Sequence, residues 1–129
     1  MSIRKSMIIT AVMLVSLFSV ALAAKVDDFD KEDFNNLLAG QKDMSGAQLQ
    51  GADLRGKDLS GVNFQGAELE EVDFRGANLS GVNFKNADLE EANLKGANIT
   101  GANFSGAELE YTTWADGRVC AEDSVGGCW

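Results

Sequence analysis

Residues 62–81 read Val62-Asn63-Phe64-Gln65-Gly66, Ala67-Glu68-Leu69-Glu70-Glu71, Val72-Asp73-Phe74-Arg75-Gly76 and Ala77-Asn78-Leu79-Ser80-Gly81, and the same grammar continues to either side. From Lys42 to Asp116 the chain divides into fifteen consecutive pentads without a gap. The third residue of each is large and apolar: Met44, Leu49, Leu54, Leu59, Phe64, Leu69, Phe74, Leu79, Phe84, Leu89, Leu94, Ile99, Phe104, Leu109 and Trp114. The first residue is alanine in nine pentads and valine in three, with Lys42, Lys57 and Thr112 as exceptions, and ten pentads close with glycine.

A period of five suits neither standard element. On an α-helix it advances about 500° per repeat, so no apolar stripe forms. On a flat strand an odd repeat sends every second centre to the opposite face. The pattern therefore asks for a chain that turns a corner every five residues and keeps positions one and three inside. Glycine at position five fits such a corner because it accepts positive φ without a steric penalty. Resemblance is strongest at twenty residues: Phe64, Phe84 and Phe104 recur at that interval, as do Leu49, Leu69, Leu89 and Leu109, and Glu70-Glu71 is matched by Glu90-Glu91. Four sides per coil, just under four coils in all, is the simplest arrangement that stacks like on like.

Runs such as Ala52-Asp53-Leu54-Arg55-Gly56 and Ala77-Asn78-Leu79-Ser80-Gly81 resemble the A-(D/N)-L-x-x motif of the pentapeptide-repeat family, over 75 of the 129 residues. The resemblance implies an all-β solenoid, a right-handed quadrilateral parallel β-helix with alanine and leucine columns inside. It implies no function. Lys57 departs from the motif at an inward position, and its stem is expected inside the wall with the ammonium escaping.

Both ends of a solenoid need covers. Asp28 to Ala39 reads as a short capping helix with Phe34, Leu37 and Leu38 on one face and Gly40 at its C-terminal stop, placed to cover Met44 and Leu49. At the other end Trp114, the cysteine loop and Trp129 are expected over Phe104 and Leu109. Cys120 and Cys128, an even pair in the last ten residues, read as a disulfide in an exported chain, and their spacing suits no metal motif. The segment from Trp114 through the two cysteines is similar to the C-terminal cap of exported bacterial members of the family.

Export is read from the first residues. Arg4 and Lys5 precede an apolar run from Met7 to Val20, and Ala21-Leu22-Ala23 supplies a small-x-small cleavage site before Lys25-Val26-Asp27-Asp28. The expected organisation is a signal peptide over 1–23, a helical cap over 24–41, the repeat over 42–116 and a disulfide cap over 117–129. The expected destination is the periplasm or the cell exterior, without membrane attachment once the leader is removed. The formal charge is −9. Removing the leader leaves nine basic against twenty acidic residues, a net −11. Such acidity argues against direct binding of nucleic acid.

Outward positions also stack, at about 4.8 Å per coil. One face collects Glu68, Glu70, Glu71, Asp88, Glu90, Glu91, Glu108 and Glu110. The next carries Arg55, Arg75 and Lys95 beside Asp53 and Asp73. The other two are neutral ladders, Asn63, Asn83 and Asn103 on one and Ser60, Ser80 and Thr100 on the other. The acidic face is the candidate docking surface for a basic protein partner. Calcium needs six to eight converging oxygens, which outward parallel side chains do not provide, and no metal or cofactor is expected.

An enzyme is not expected: the chain has no histidine, the cysteines are accounted for, and Ser45, Ser60, Ser80 and Ser105 have no evident base beside them. The carboxylates are expected on a convex wall where nothing shifts their pKa. Three readings stand: an exported scaffold or protein-interaction module, monomeric or weakly dimeric; a mimic of DNA that inhibits a topoisomerase such as DNA gyrase, as some family members do; and a passive structural envelope protein. The eight carboxylates over ~18 Å approach the ~1.7 Å charge spacing of duplex DNA. Against mimicry stand the shortness of the rod, about five base pairs, and the leader.

Overall fold

The computed structural model describes residues 30–129. The expected signal peptide and the first residues of the expected helical cap lie outside the described residues. Among the described residues no helix is long and apolar enough to cross a membrane.

The repeat folds by one local device used at every corner. The carbonyl of each third-position residue accepts the N–H three residues on, as from Ala47 to Met44 (3.1 Å), Ala52 to Leu49 (3.0 Å) and Ala67 to Phe64 (3.0 Å). In every pentad but the last, the fifth-position residue between them has positive φ, the type II arrangement, and glycine fills that place in most of them. Four such corners return the chain above its starting point. Single parallel bridges then join residues twenty apart in four rows: Asp43, Asn63, Asn83 and Asn103 on side one; Gln48, Glu68, Asp88 and Glu108 on side two; Asp53, Asp73, Asn93 and Thr113 on side three; Asp58, Asn78 and Asn98 on side four.

Within each row the second-position N–H donates to the coil before and the third-position N–H to the coil after, as in Asn83 to Val62 (3.0 Å) and Phe84 to Asn103 (2.7 Å). First- and third-position side chains fill the interior. Leu69, Val72, Phe74, Leu79, Val82, Phe84 and Leu89 are fully buried. On side one, Phe84 stacks on Phe64 at 5.7 Å and on Phe104 at 5.1 Å, and it meets Phe74 of side three edge-on at 5.9 Å. Thr112, where the repeat has alanine or valine, is buried because its hydroxyl donates to the Leu89 carbonyl at 2.7 Å.

The Asp or Asn at position two has its own reason. Its side-chain oxygen accepts the N–H of position four, a donor the ladder leaves unused: Asp43 from Ser45, Asn63 from Gln65, Asn78 from Ser80, Asn93 from Lys95 and Asn103 from Ser105. A short side chain reaches that N–H, and a glutamate is one methylene too long for the same geometry.

Before the first coil, α1 (Lys31–Leu38) is capped by Asp30, whose carboxylate accepts the Glu32 N–H at 2.8 Å. It ends in a Schellman turn, with Gly40 at φ 94° donating to Leu37 and Gln41 to Asn36. The helix stands in for a missing coil under side two: the Asp30 N–H donates to the Gln48 carbonyl at 2.8 Å, and Asp33 accepts the Gln48 N–H at 2.9 Å. Leu37 is buried with Met44 and Leu49 in the core, whereas Leu38, expected on the same face, is 48% exposed. Lys57 also departs from expectation. It is exposed, and with Asp53 and Arg55 it borders a shallow groove beside Phe34 and Leu38 instead of burying its stem.

At the far end the chain reverses and lays two short antiparallel segments on the last coil, bridging Glu108 to Val125 on side two and Thr113 to Val119 on side three. Cys120 and Cys128 are joined by a disulfide with Cα atoms 4.8 Å apart, and Cys120 is buried. Trp114 covers Phe104 at 4.8 Å, but Trp129 does not join it and is 66% exposed. Ile99, expected inside, is partly exposed because no further coil lies above side four.

The fully enclosed aromatic column predicts that Phe84→Ala costs about 3–5 kcal/mol, the range for emptying a packed phenylalanine site. Val119→Ala, at an exposed position, is expected to change stability by about 0.5 kcal/mol or less. Urea unfolding followed by circular dichroism measures both. Equal effects would show that the column is not what holds the coils together.

Candidate functional site

Side two differs from the others at three positions of the pentad. At position two it carries Gln48, Glu68, Asp88 and Glu108; at position four Gln50, Glu70, Glu90 and Glu110; at position five Gly51, Glu71, Glu91 and Tyr111. The eight candidate carboxylates thus fall in three adjacent columns over the second to fourth coils. Asp88 alone of the position-two group is short enough to bind the position-four N–H, that of Glu90, at 3.0 Å. Glu68 and Glu108 are exposed, and the Gln50 amide donates to the Glu68 carboxylate.

Position five shows backbone strain. Only five non-glycine residues have positive φ among the described residues, and three form one column: Glu71 at 57°, Glu91 at 57° and Tyr111 at 55°. Glycine fills the corresponding corner at Gly51, φ 70°. For L-residues this conformation costs roughly 1–2 kcal/mol each.

Position four is not the freely projecting array expected. Glu70, Glu90 and Glu110 are half-buried, and Glu70 Oε2 is enclosed without a hydrogen-bond partner. Burial first, then the charges of Asp88, Glu68 and Glu90, push the Glu70 carboxyl above its ordinary value of 4.5. Glu90 is raised as well, by desolvation first and then by Glu110, Asp88, Glu91 and Glu108. The expectation that nothing shifts these carboxylates is therefore corrected for Glu70 and Glu90: burial raises them first, and the neighbouring carboxylates add to it. The period marks which residues share a column, but not that a position-four side chain folds back against the wall.

The basic column on side three is largely neutralised. Arg55 makes paired bonds to Asp53 at 2.8 and 2.7 Å, and Arg75 Nη2 lies 2.6 Å from Asp73 Oδ2. Arg55 also reaches Asp73 at 3.7 Å. The Arg55 side chain first, then its backbone N–H, pulls the Asp53 carboxyl down to about 2. Lys95 has Asn93 in place of an aspartate and forms no ion pair among the described residues. Side three is an alternation of charges, and the net negative field belongs to side two.

The neutral ladders also need one correction. Ser45 and Ser60 do have carboxylates beside them, and their hydroxyls donate to Asp43 and Asp58 at 2.8 Å each. These bonds hold both aspartates below their ordinary value, the opposite of what a general base at neutral pH requires. On side one, Asn83 donates to Asn63 at 3.0 Å, an amide ladder along the coil axis. Among the described residues no group of histidine, cysteine, aspartate or glutamate is arranged to hold a metal ion.

The family model for pentapeptide repeats matches this chain in eight copies over residues 43–81 and 77–110, more than half of its length. Among solved structures, a pentapeptide repeat protein of the Arabidopsis thaliana thylakoid lumen is 38% identical, over 51% of this chain and 49% of that one, with a TM-score of 0.42. HetL, involved in heterocyst differentiation regulation in the cyanobacterium Nostoc, is 28% identical over 60% and 46%, with a TM-score of 0.47. A protein of the cyanobacterium Cyanothece, Rfr23, is 35% identical over 56% and 53%, with a TM-score of 0.43. The chain spans about half the length of these three structures. No curated protein matches it.

Because the Glu70 carboxyl takes up its proton more readily folded than unfolded, its ionisation costs stability at neutral pH, and the cost disappears as pH falls through the raised value. Glu70→Gln is therefore expected to raise the melting temperature at pH 7, with the gain closing toward pH 4.5. The paired Asp53 and Asp73 work the other way, adding stability that is lost as pH falls below 3.8. Melting curves of both proteins across this range test the sign. A gain that is independent of pH would rule out relief of charge as its cause.

Proposed function

Since the chain belongs to the pentapeptide-repeat family, we propose that it is an exported, non-catalytic interaction module that docks a basic protein partner on side two of its right-handed solenoid. The observation that carries this reading is the strained column of Glu71, Glu91 and Tyr111. Glycine would relieve the backbone at all three, yet large polar side chains stand there beside Glu70, Glu90 and Glu110. Strain retained where an easier residue exists points to use of the side chain.

A basic partner would relieve both the crowding of carboxylates and the elevated pKa of Glu70 and Glu90, since an opposite charge nearby favours ionisation. Its association would be steered by the net negative field and weakened by salt. The arginines of side three do not compete for the same partner, being held by their own aspartates. Two features support export: the leader-like residues 1–23 and the disulfide, a bond that persists in an oxidising compartment. A passive envelope protein would have no call for strain gathered in one column, whereas Asn86, the one other repeat corner without glycine at positive φ, is a residue type that tolerates it. Against mimicry of DNA stand the shortness of the rod and the leader-like residues 1–23.

Two measurements decide. Fractionation of the producing cell followed by intact mass without reductant is expected to give a periplasmic or secreted chain beginning at Ala24 and lacking both thiol hydrogens. A full-length cytoplasmic chain would overturn export and make a supercoiling assay the next step. In affinity capture from the envelope fraction, Glu70→Lys, Glu90→Lys and Glu110→Lys together are expected to lose a basic protein that the parent chain retains. Unchanged recovery would remove side two as the docking face.

A further inference from the structure

The C-terminal end of the solenoid is finished on two sides and open on the other two. On side two the Leu109 N–H donates to Ser124 and the Ala107 carbonyl accepts from Gly126, both at 2.9 Å. On side three Trp114 donates to Arg118 at 2.7 Å, and Thr112 accepts from Cys120 at 2.9 Å. Sides four and one present the same pattern of groups at the same level. There the N–H groups of Ile99, Gly101, Phe104 and Gly106 find no partner among the described residues, and the carbonyls of Ala97 and Ala102 accept nothing. One coil lower, the equivalent donors of Leu79 and Phe84 are bonded at 2.8 and 2.7 Å.

Three further features converge on this end. Residues 96–107 contain no charge and no proline, the longest uncharged run in the repeat of a chain with net charge −9. Natural edges that stay unpaired commonly carry such residues to prevent joining. Ile99 and Ala102 are partly exposed at this edge, although Leu79 and Val82, one coil lower in the same columns, are buried. Of the five large exposed apolar residues among those described, three (Val119, Val125 and Trp129) belong to the terminal segment.

The capped sides two and three are adjacent, and so are the bare sides four and one. The end is therefore a step, one strand spacing high, divided along a diagonal of the square. A half-turn about an axis along that diagonal lays the raised half of one step over the lowered half of another. We infer that this end is a dimerisation surface for a second copy of the same chain, each copy's cap segment lying on the other's open edge in an isologous contact. The occupant is a second copy because the step is complementary to itself and an uncharged edge gives a charged partner nothing to recognise. This contact is separate from the acidic side wall, so it stands or falls independently of side two.

Sedimentation equilibrium of the protein, in the form in which it accumulates in the cell, is expected to show a mass that doubles with concentration. The Ile99 and Phe104 amides should become protected from hydrogen exchange over the same concentration range. Val125→Lys with Trp129→Ser, both at exposed positions, should leave a folded monomer with those amides unprotected. Leu38→Lys, exposed at the opposite end, should dimerise like the parent. A single-chain mass at every concentration would overturn the proposal. So would a doubled mass without protection of Ile99 and Phe104, equal loss of dimer in Leu38→Lys, or protection at single-chain mass by a strand of another protein.

Discussion

Everything in this molecule depends on keeping the register at twenty residues. Each coil gives its second-position N–H to the coil before and its third-position N–H to the coil after, so one misplaced residue would break both ladders on that side. The corner makes this register possible. Positive φ at position five fixes the turn, and the carbonyl of position three fastens it to the next pentad. With the path set, each side is only long enough for two inward side chains, and in most pentads a small residue followed by a large one fills the square.

That economy has a surface consequence. Since Asp or Asn at position two is fastened to the backbone, most of the outer wall is spoken for by the chain itself. Arginines on side three are absorbed by the same aspartates, and serines on sides one and four by theirs. Side two escapes because glutamate and glutamine replace the short residues in three of its four coils. Freed from the backbone at Glu68 and Glu108, crowded at Glu70 and Glu90 and strained at Glu71, Glu91 and Tyr111, it is the part of the wall least explained by folding.

The repeat and the solenoid class were legible because period and composition report directly on inward and outward positions. Phe64, Phe84 and Phe104 announced a column at twenty residues, and the structure stacks them. Misreadings gather where the repeat stops or a long side chain has a choice. Leu38, Ile99 and Trp129 are apolar residues at ends, where burial depends on what happens to lie above. Lys57 sits beside the end of α1, where an open groove lets the whole side chain leave the wall. The half-burial of Glu70 and the strain at Glu71 have no signature in a linear pattern, because both follow from side-chain rotation and backbone sign. Only the glutamates standing where glycine is usual hinted at the second.

The helix beneath the first coil settles more than the exposure of Met44. By supplying the Asp30 N–H and the Asp33 carboxylate to Gln48, α1 occupies the hydrogen bonds that another solenoid would need on that side. A rod with two sticky ends is a bifunctional monomer, and bifunctional monomers make fibres. By stoppering side two at this end, α1 takes away one of the four rows through which a second rod would have to continue in register, as a chain terminator does in the polymer chemist's sense.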